Sequence, residues 1–260
     1  MRRYDGELIH ASRDEHGPIE VVEDGRVRSL HFGSRSRQSA LFLDRPEALV
    51  LAYTQSMMAA LLLHAAPRRV LLVGLGGGSL ARFLLHHYPD CHIDAVELRP
   101  RVVELAHGYF RLPEDDARLT IIPGEGRQFL THAALRHSDY DLILVDAFHG
   151  TGMAEEVAEA DFFAAARGRL ADDGALAVNL WQQPAQRLRR TLTGLRDAFA
   201  GRCLQLPVPT RGNLVALAST RPVPPDFATA WDLRAHALSR FTGLDFPGFL
   251  EGLSENNSTT

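Results

Sequence analysis

Five short apolar runs, each followed by a stretch of helical periodicity, organise the chain from Val70 to about residue 200. "VLLVG" (70–74) precedes "SLARFLLHHY" (79–88), and "HIDAVE" (92–97) precedes "RVVELAHGYF" (101–110). "RLTIIPG" (118–124) leads into "EGRQFLTHAAL" (125–135), and "DLILVDA" (141–147) into "EEVAEADFFAAARGRL" (155–170). "ALAVNL" (175–180) is followed by a helix over 186–200. These strands lack in/out alternation, so both of their faces are expected to be buried, as in a parallel sheet covered by helices. The last two strands differ. Only "TRG" separates "CLQLPVP" (203–209) from "NLVALAS" (213–219), too little chain for a helical crossover, so they are expected to pair antiparallel.

The pattern changes before residue 45. "IEVVEDGRVRSLHFG" (19–33) places Asp24-Gly25 between two strand-forming runs, a hairpin signal. Residues 1–45 are therefore expected to form a small β annex, 46–253 the main domain and 254–260 a flexible tail. "ALVLAYTQSMMAALLLHAA" (48–66) is uncharged over 19 residues. Thr54, Gln55, Ser56 and His64 interrupt it, and it is read as a buried helix, not a membrane span.

Composition narrows the chemistry. Hydrophobic content of 45% and charged content of 23% are those of a globular protein, and a net charge of −4 gives no sign of a nucleic-acid partner. All 28 basic residues are arginine. A Walker-type phosphate loop and Schiff-base chemistry both require a lysine and are excluded. The two cysteines are far apart, and "MRRYDGELIHASRDEH" has no apolar core of the kind a secretion signal has, so a cytoplasmic protein is expected.

Three features lie at the carboxyl ends of consecutive strands, the usual ligand crevice of such sheets. In "VGLGGGS" (73–79), Gly74, Gly76, Gly77 and Gly78 permit a tight turn and close approach to a ligand, while the following helix offers unpaired amides. Glu97 ends the next strand, where a carboxylate can take both ribose hydroxyls. Glu125-Gly126 follows the third strand, where Glu125 either lies beside a base or caps a helix.

With these features in place, the order of five parallel strands and a terminal hairpin resembles the class I S-adenosylmethionine-dependent transferases. The expected fold is thus α/β and Rossmann-like, a mostly parallel seven-stranded sheet with an antiparallel terminal hairpin. Within that superfamily, "GLGGGS" (74–79), Glu97, Glu125-Gly126 and "DAFHGTGMAE" (146–155) resemble the spermidine synthase family, whose corresponding segments read "GGGDGG", an acidic ribose-binding residue, "DG" and "DSSDPxGPAE". Asp146, Gly152, Ala154 and Glu155 match the last of these, as does the spacing to Asp173-Gly174. Gln38 and Tyr53 resemble the family's glutamine and tyrosine around the donor. The resemblance implies decarboxylated S-adenosylmethionine as co-substrate, methylthioadenosine as product, no metal, a small amine acceptor, and a homodimer or homotetramer. It assigns Asp146 as the general base, with Tyr53 helping to hold the nucleophile. His149, Glu155 and Trp181 are the expected acceptor residues.

Two positions depart from the family pattern. Gly77 stands where the family's loop has an aspartate, and His149 replaces the second aspartate of "DSSDP". Loss of the loop carboxylate would weaken repulsion of ordinary S-adenosylmethionine, which carries a carboxylate of its own. Three readings stay open: aminopropyl transfer, which leads; methyl transfer yielding S-adenosylhomocysteine; and nucleoside binding without turnover.

Overall fold

A computed structural model describes residues 3–132, 139–149, 152–153, 160–209 and 212–257. Strands β5 (Arg69–Val73), β6 (His92–Glu97), β7 (Leu119–Pro123), β8 (Tyr140–Val145), β11 (Leu170–Trp181), β12 (Cys203–Pro207) and β13 (Asn213–Ser219) form one seven-stranded sheet. Its order is β12-β13-β11-β8-β5-β6-β7. The pairs among β7, β6, β5, β8 and β11 are parallel, and β13 lies antiparallel between β11 and β12. The expected terminal hairpin is present, with the last strand inserted beside β11.

Consecutive residues of β5 enter different cores, which is why its sequence shows no alternation. Val70 and Leu72 face a core shared with α2 (Ser79–His87), part of α3 (Pro100–Phe110) and the fully buried segment Met57–Leu62. Leu71 and Val73 face a core shared with α4 (Gly126–Thr131), α5 (Ala160–Arg169) and α6 (Ala185–Ala198). The uncharged segment 48–66 contains α1 (Ala52–Met57) and a 3-10 helix (Met58–Leu62), both within the fold. No helix among the described residues is long and apolar enough to cross a membrane.

Three helices not expected from the sequence, α7 (Phe227–Ala230), α8 (Asp232–Thr242) and α9 (Phe246–Asn257), complete the first core. The expected tail from residue 254 is helical as far as Asn257. The Asn257 amide accepts from the Gln205 amide nitrogen and donates to the Gln205 carbonyl, each at 2.9 Å, and so covers the free edge of β12.

The N-terminal annex is larger than one hairpin. β1 (Glu7–Asp14), β2 (Gly17–Asp24), β3 (Val27–His31) and β4 (Arg37–Phe42) form an antiparallel meander, with the Asp24-Gly25 turn where expected. Ile19, Val21, Leu30 and Leu41 pack on Val102, Leu105 and Phe110 of α3, so the annex closes over α3 at one side of the main sheet. β9 (Phe148–His149) and β10 (Gly152–Met153) form a small ribbon after β8.

Candidate active site

The site lies where chain order reverses between β5 and β8, at their carboxyl ends. Gly74 has φ +94°, and a Cβ there would lie 2.3 Å from the Asp146 carbonyl oxygen. Backbone bonds fix these strand ends: Asp146 N–H donates to Val73, tying the β8 end to β5, and Gly74 N–H donates to Val96, tying the β5 end to β6. The close approach therefore requires glycine.

Glu97 is buried at 7% exposure and holds the loop. Its Oε2 accepts from the amides of Leu75 (2.9 Å) and Gly76 (3.3 Å), and its Oε1 from the amide of Arg99 (3.0 Å). Glu125 is the N-cap of α4, accepting from the amides of Arg127 and Gln128 at 2.7 and 2.8 Å. The helix-capping reading of Glu125 is the one its hydrogen bonds show; it also borders a pocket with Gly74, Gly76, Glu97, Gly126 and Asp146.

Gly77 and Gly78 are not on that wall. A Cβ at Gly77 would lie 2.8 Å from the Phe110 ring, and one at Gly78 would lie 2.7 Å from Leu112. These two glycines serve the packing of the loop on α3. Behind them the buried Arg82 donates to the Gly77 carbonyl and, at 2.9 Å, to the Pro46 carbonyl. Burial lowers the Arg82 pKa to about 10.

Asp146 is the centre of the site. Its Oδ1 accepts from Asn179 Nδ2 at 2.9 Å, and its Oδ2 lies 3.0 Å from the Tyr53 hydroxyl. That hydroxyl also lies 2.9 Å from the Gln38 carbonyl oxygen. A phenol has one proton for these two acceptors. If Asp146 is protonated it can donate to Tyr53, and Tyr53 to Gln38; if Asp146 is ionised, the two oxygens compete for one proton. Burial pushes the Asp146 pKa up to about 6, with the hydrogen bonds from Asn179 and Tyr53 pulling down and the Glu97 charge pushing up. Burial, then the Asp146 charge, drives the Tyr53 pKa well above its ordinary value.

A second pocket opens on the other side of Gln38, bordered by Leu51, Tyr53, Asn179, Trp181 and Asn213, with Arg37 exposed at the rim. Gln38 borders both pockets. Tyr53 in one touches Asp146 in the other, so the carboxylate stands where two bound molecules would meet. Trp181 is 39% exposed at the end of β11. His149 lies in the β9 ribbon, and Glu155 falls outside the described residues.

Besides Asn179, three residues with no assigned role in the sequence join the site. Arg99 borders the first pocket with its guanidinium 4.4 Å above the Phe32 ring, and its side chain, 4% exposed, makes a bidentate pair with Asp14 of β1 at 2.7 and 2.9 Å. Asn213 donates to Asn179 at 2.9 Å. Phe32 has no local signal of its role, and it reaches the pocket only because the annex folds over α3.

A seven-stranded sheet with one reversed strand and a pocket at its switch point defines the methyltransferase-like class of Rossmann folds. Solved structures agree. A probable spermidine synthase from Corynebacterium glutamicum aligns with TM-score 0.74 at 19% identity, covering 91% of this chain and 94% of its own. Human methyltransferase-like protein 13, solved with S-adenosylhomocysteine, aligns with TM-score 0.66 at 23% identity, covering 75% and 93%. At sequence level, residues 51–192 match the spermine/spermidine synthase domain. A polyamine aminopropyltransferase of Neisseria meningitidis serogroup A is 34% identical over 99% of this chain and 97% of its own length. The chain belongs to the spermine/spermidine synthase family.

Proposed function

We propose that this protein transfers an aminopropyl group from decarboxylated S-adenosylmethionine to a small primary amine, with Asp146 as the base. The observation that carries this reading is the position of Asp146, a buried carboxylate held by Asn179 and Tyr53 at the junction of two pockets. The donor nucleoside occupies the pocket bounded by Glu97 and Glu125, and the acceptor enters beside Tyr53 and Trp181. The amine nitrogen attacks the aminopropyl carbon bonded to sulfur, and the C–S electron pair leaves with methylthioadenosine. The new ammonium gives its proton to Asp146, which passes it to solvent.

Charge favours this donor over ordinary S-adenosylmethionine. The first pocket is bordered by Glu97, Glu125 and Asp146, and the one guanidinium on it among the described residues, Arg99, is already paired with Asp14. A donor carrying a sulfonium and an ammonium matches that wall, whereas an added carboxylate is repelled. A side chain at position 77 would point at Phe110, so discrimination in this chain rests on those wall carboxylates and not on the glycine loop.

The test uses purified protein with putrescine and each donor separately, with products read by mass spectrometry. Spermidine and methylthioadenosine from the decarboxylated donor are expected. A methylated acceptor with S-adenosylhomocysteine would overturn the reading.

A further inference from the structure

Asn213 is 34 residues from Asn179 in sequence, yet pairing places it within reach. It faces Trp181 across the β11–β13 ladder, so its side chain shares a face with Trp181 and with Asn179 two residues earlier. The diagonal neighbour is within reach of a carboxamide, and Asn213 Nδ2 donates to Asn179 Oδ1 at 2.9 Å. The Asn213 carbonyl accepts from Val208 N–H and Gln182 Nε2, each at 3.0 Å, which anchors its backbone. A carboxamide has one accepting end and one donating end. With Oδ1 of Asn179 engaged by Asn213, its NH2 group is the end that meets Asp146 Oδ1.

We propose that Asn213 is a positioning residue that sets which end of the Asn179 amide faces Asp146, and so holds that carboxylate in its charged, proton-accepting form. The inference rests on Asp146 being the base. Among the described residues, the titratable and charged groups facing Asp146 are Tyr53 on α1 and Glu97 at the end of β6, with Glu125 and Arg99 across the same pocket. From β11 it meets the Asn179 amide, which in turn meets the Asn213 amide of β13. A reversed Asn179 would set a carbonyl against the carboxylate, an arrangement that requires Asp146 to keep its proton.

Asn213→Asp is the direct test. The new carboxylate only accepts, so Asn179 turns its NH2 group toward position 213 and its carbonyl toward Asp146. The carboxyl carbon of Asp146, followed by NMR in protein labelled with carbon-13 aspartate and assigned by its loss in Asp146→Asn, is expected to titrate about one pH unit or more higher than in the parent. The acid limb of the pH–rate profile is expected to move with it, an activity loss of about tenfold on that limb. Asn213→Ala removes the donor without adding charge and is expected to give a smaller shift in the same direction. Repeating Asn213→Asp in an Asn179→Ala background separates amide orientation from direct charge repulsion, and most of the shift is expected to vanish there. An unchanged Asp146 titration in both variants, or a shift that persists undiminished without Asn179, overturns the inference. Full aminopropyl transfer by Asp146→Asn would instead sink the base assignment, while the NMR titration still judges Asn213 separately.

Discussion

At the scale of single residues, stability and activity at Asp146 oppose one another. Its pKa is about 6 in the folded protein against an ordinary 3.8, so the folded state holds this proton more tightly than the unfolded state does. The associated stability is complete below about pH 4 and is lost as pH rises through 6. Asp146→Asn removes that linkage and keeps the site satisfied: its NH2 donates to Tyr53, Tyr53 donates to Gln38, and its carbonyl accepts from Asn179. The variant is expected to melt with the parent near pH 4 and above it at pH 8, by on the order of 2–3 kcal/mol, or roughly 5 °C. Its turnover is expected to fall by roughly 10²–10⁴-fold. Thermal melts at the two pH values check the first expectation, and a lower melting temperature for the variant at pH 8 would refute it. That Asp146 is a carboxylate at a strand end is legible in "LILVDA"; that Tyr53, 93 residues away, shares a proton with it is not.

At the scale of elements, the glycine loop separates positions that need glycine from those that tolerate a side chain. Gly74→Ala would place Cβ against the Asp146 backbone oxygen while holding φ at +94°. It is expected to displace the strand end that carries Asp146, costing roughly 1 kcal/mol for the left-handed backbone alone, and to abolish methylthioadenosine binding by calorimetry. Gly108 is the control. It is exposed within α3 with nothing within 4 Å of its Cβ direction, so Gly108→Ala is expected to stabilise by up to roughly 1 kcal/mol and leave binding unchanged. The strands and their loop were readable because an apolar run followed by clustered glycines is a local signal. Gly77 and Gly78 carry that same signal and serve packing against Phe110 and Leu112, contacts made by residues more than 30 positions away.

Across the whole molecule, one buried ion pair joins the annex to the nucleoside site. Asp14 lies at the end of β1, and Arg99 follows Glu97, to which its backbone amide donates. Burial would raise the Asp14 pKa, but the hydrogen bonds and charge of Arg99 together with the hydrogen bond from the His16 amide outweigh it and hold the group below its ordinary value. Asp14→Ala leaves a buried guanidinium without its carboxylate, a change of the kind that costs roughly 3–5 kcal/mol. The variant is expected to melt lower and to bind methylthioadenosine more weakly, although no atom of Asp14 borders the pocket. Unchanged affinity would show that the annex closes the site independently of this pair.

The sequence by itself determined the class of fold, the succession of strands and helices along the chain with the parallel run and the antiparallel end, and the carboxylates at the strand ends. Each follows from burial and turn chemistry written over a few consecutive residues. Tertiary structure alone decided the company those carboxylates keep. Tyr53 meets Asp146 because α1 packs beside the β8 end; Asn213 reaches Asn179 because β13 inserts next to β11; Asp14 finds Arg99 because the meander folds over α3. Those meetings depend on register and packing between elements far apart in the chain, which no local pattern encodes.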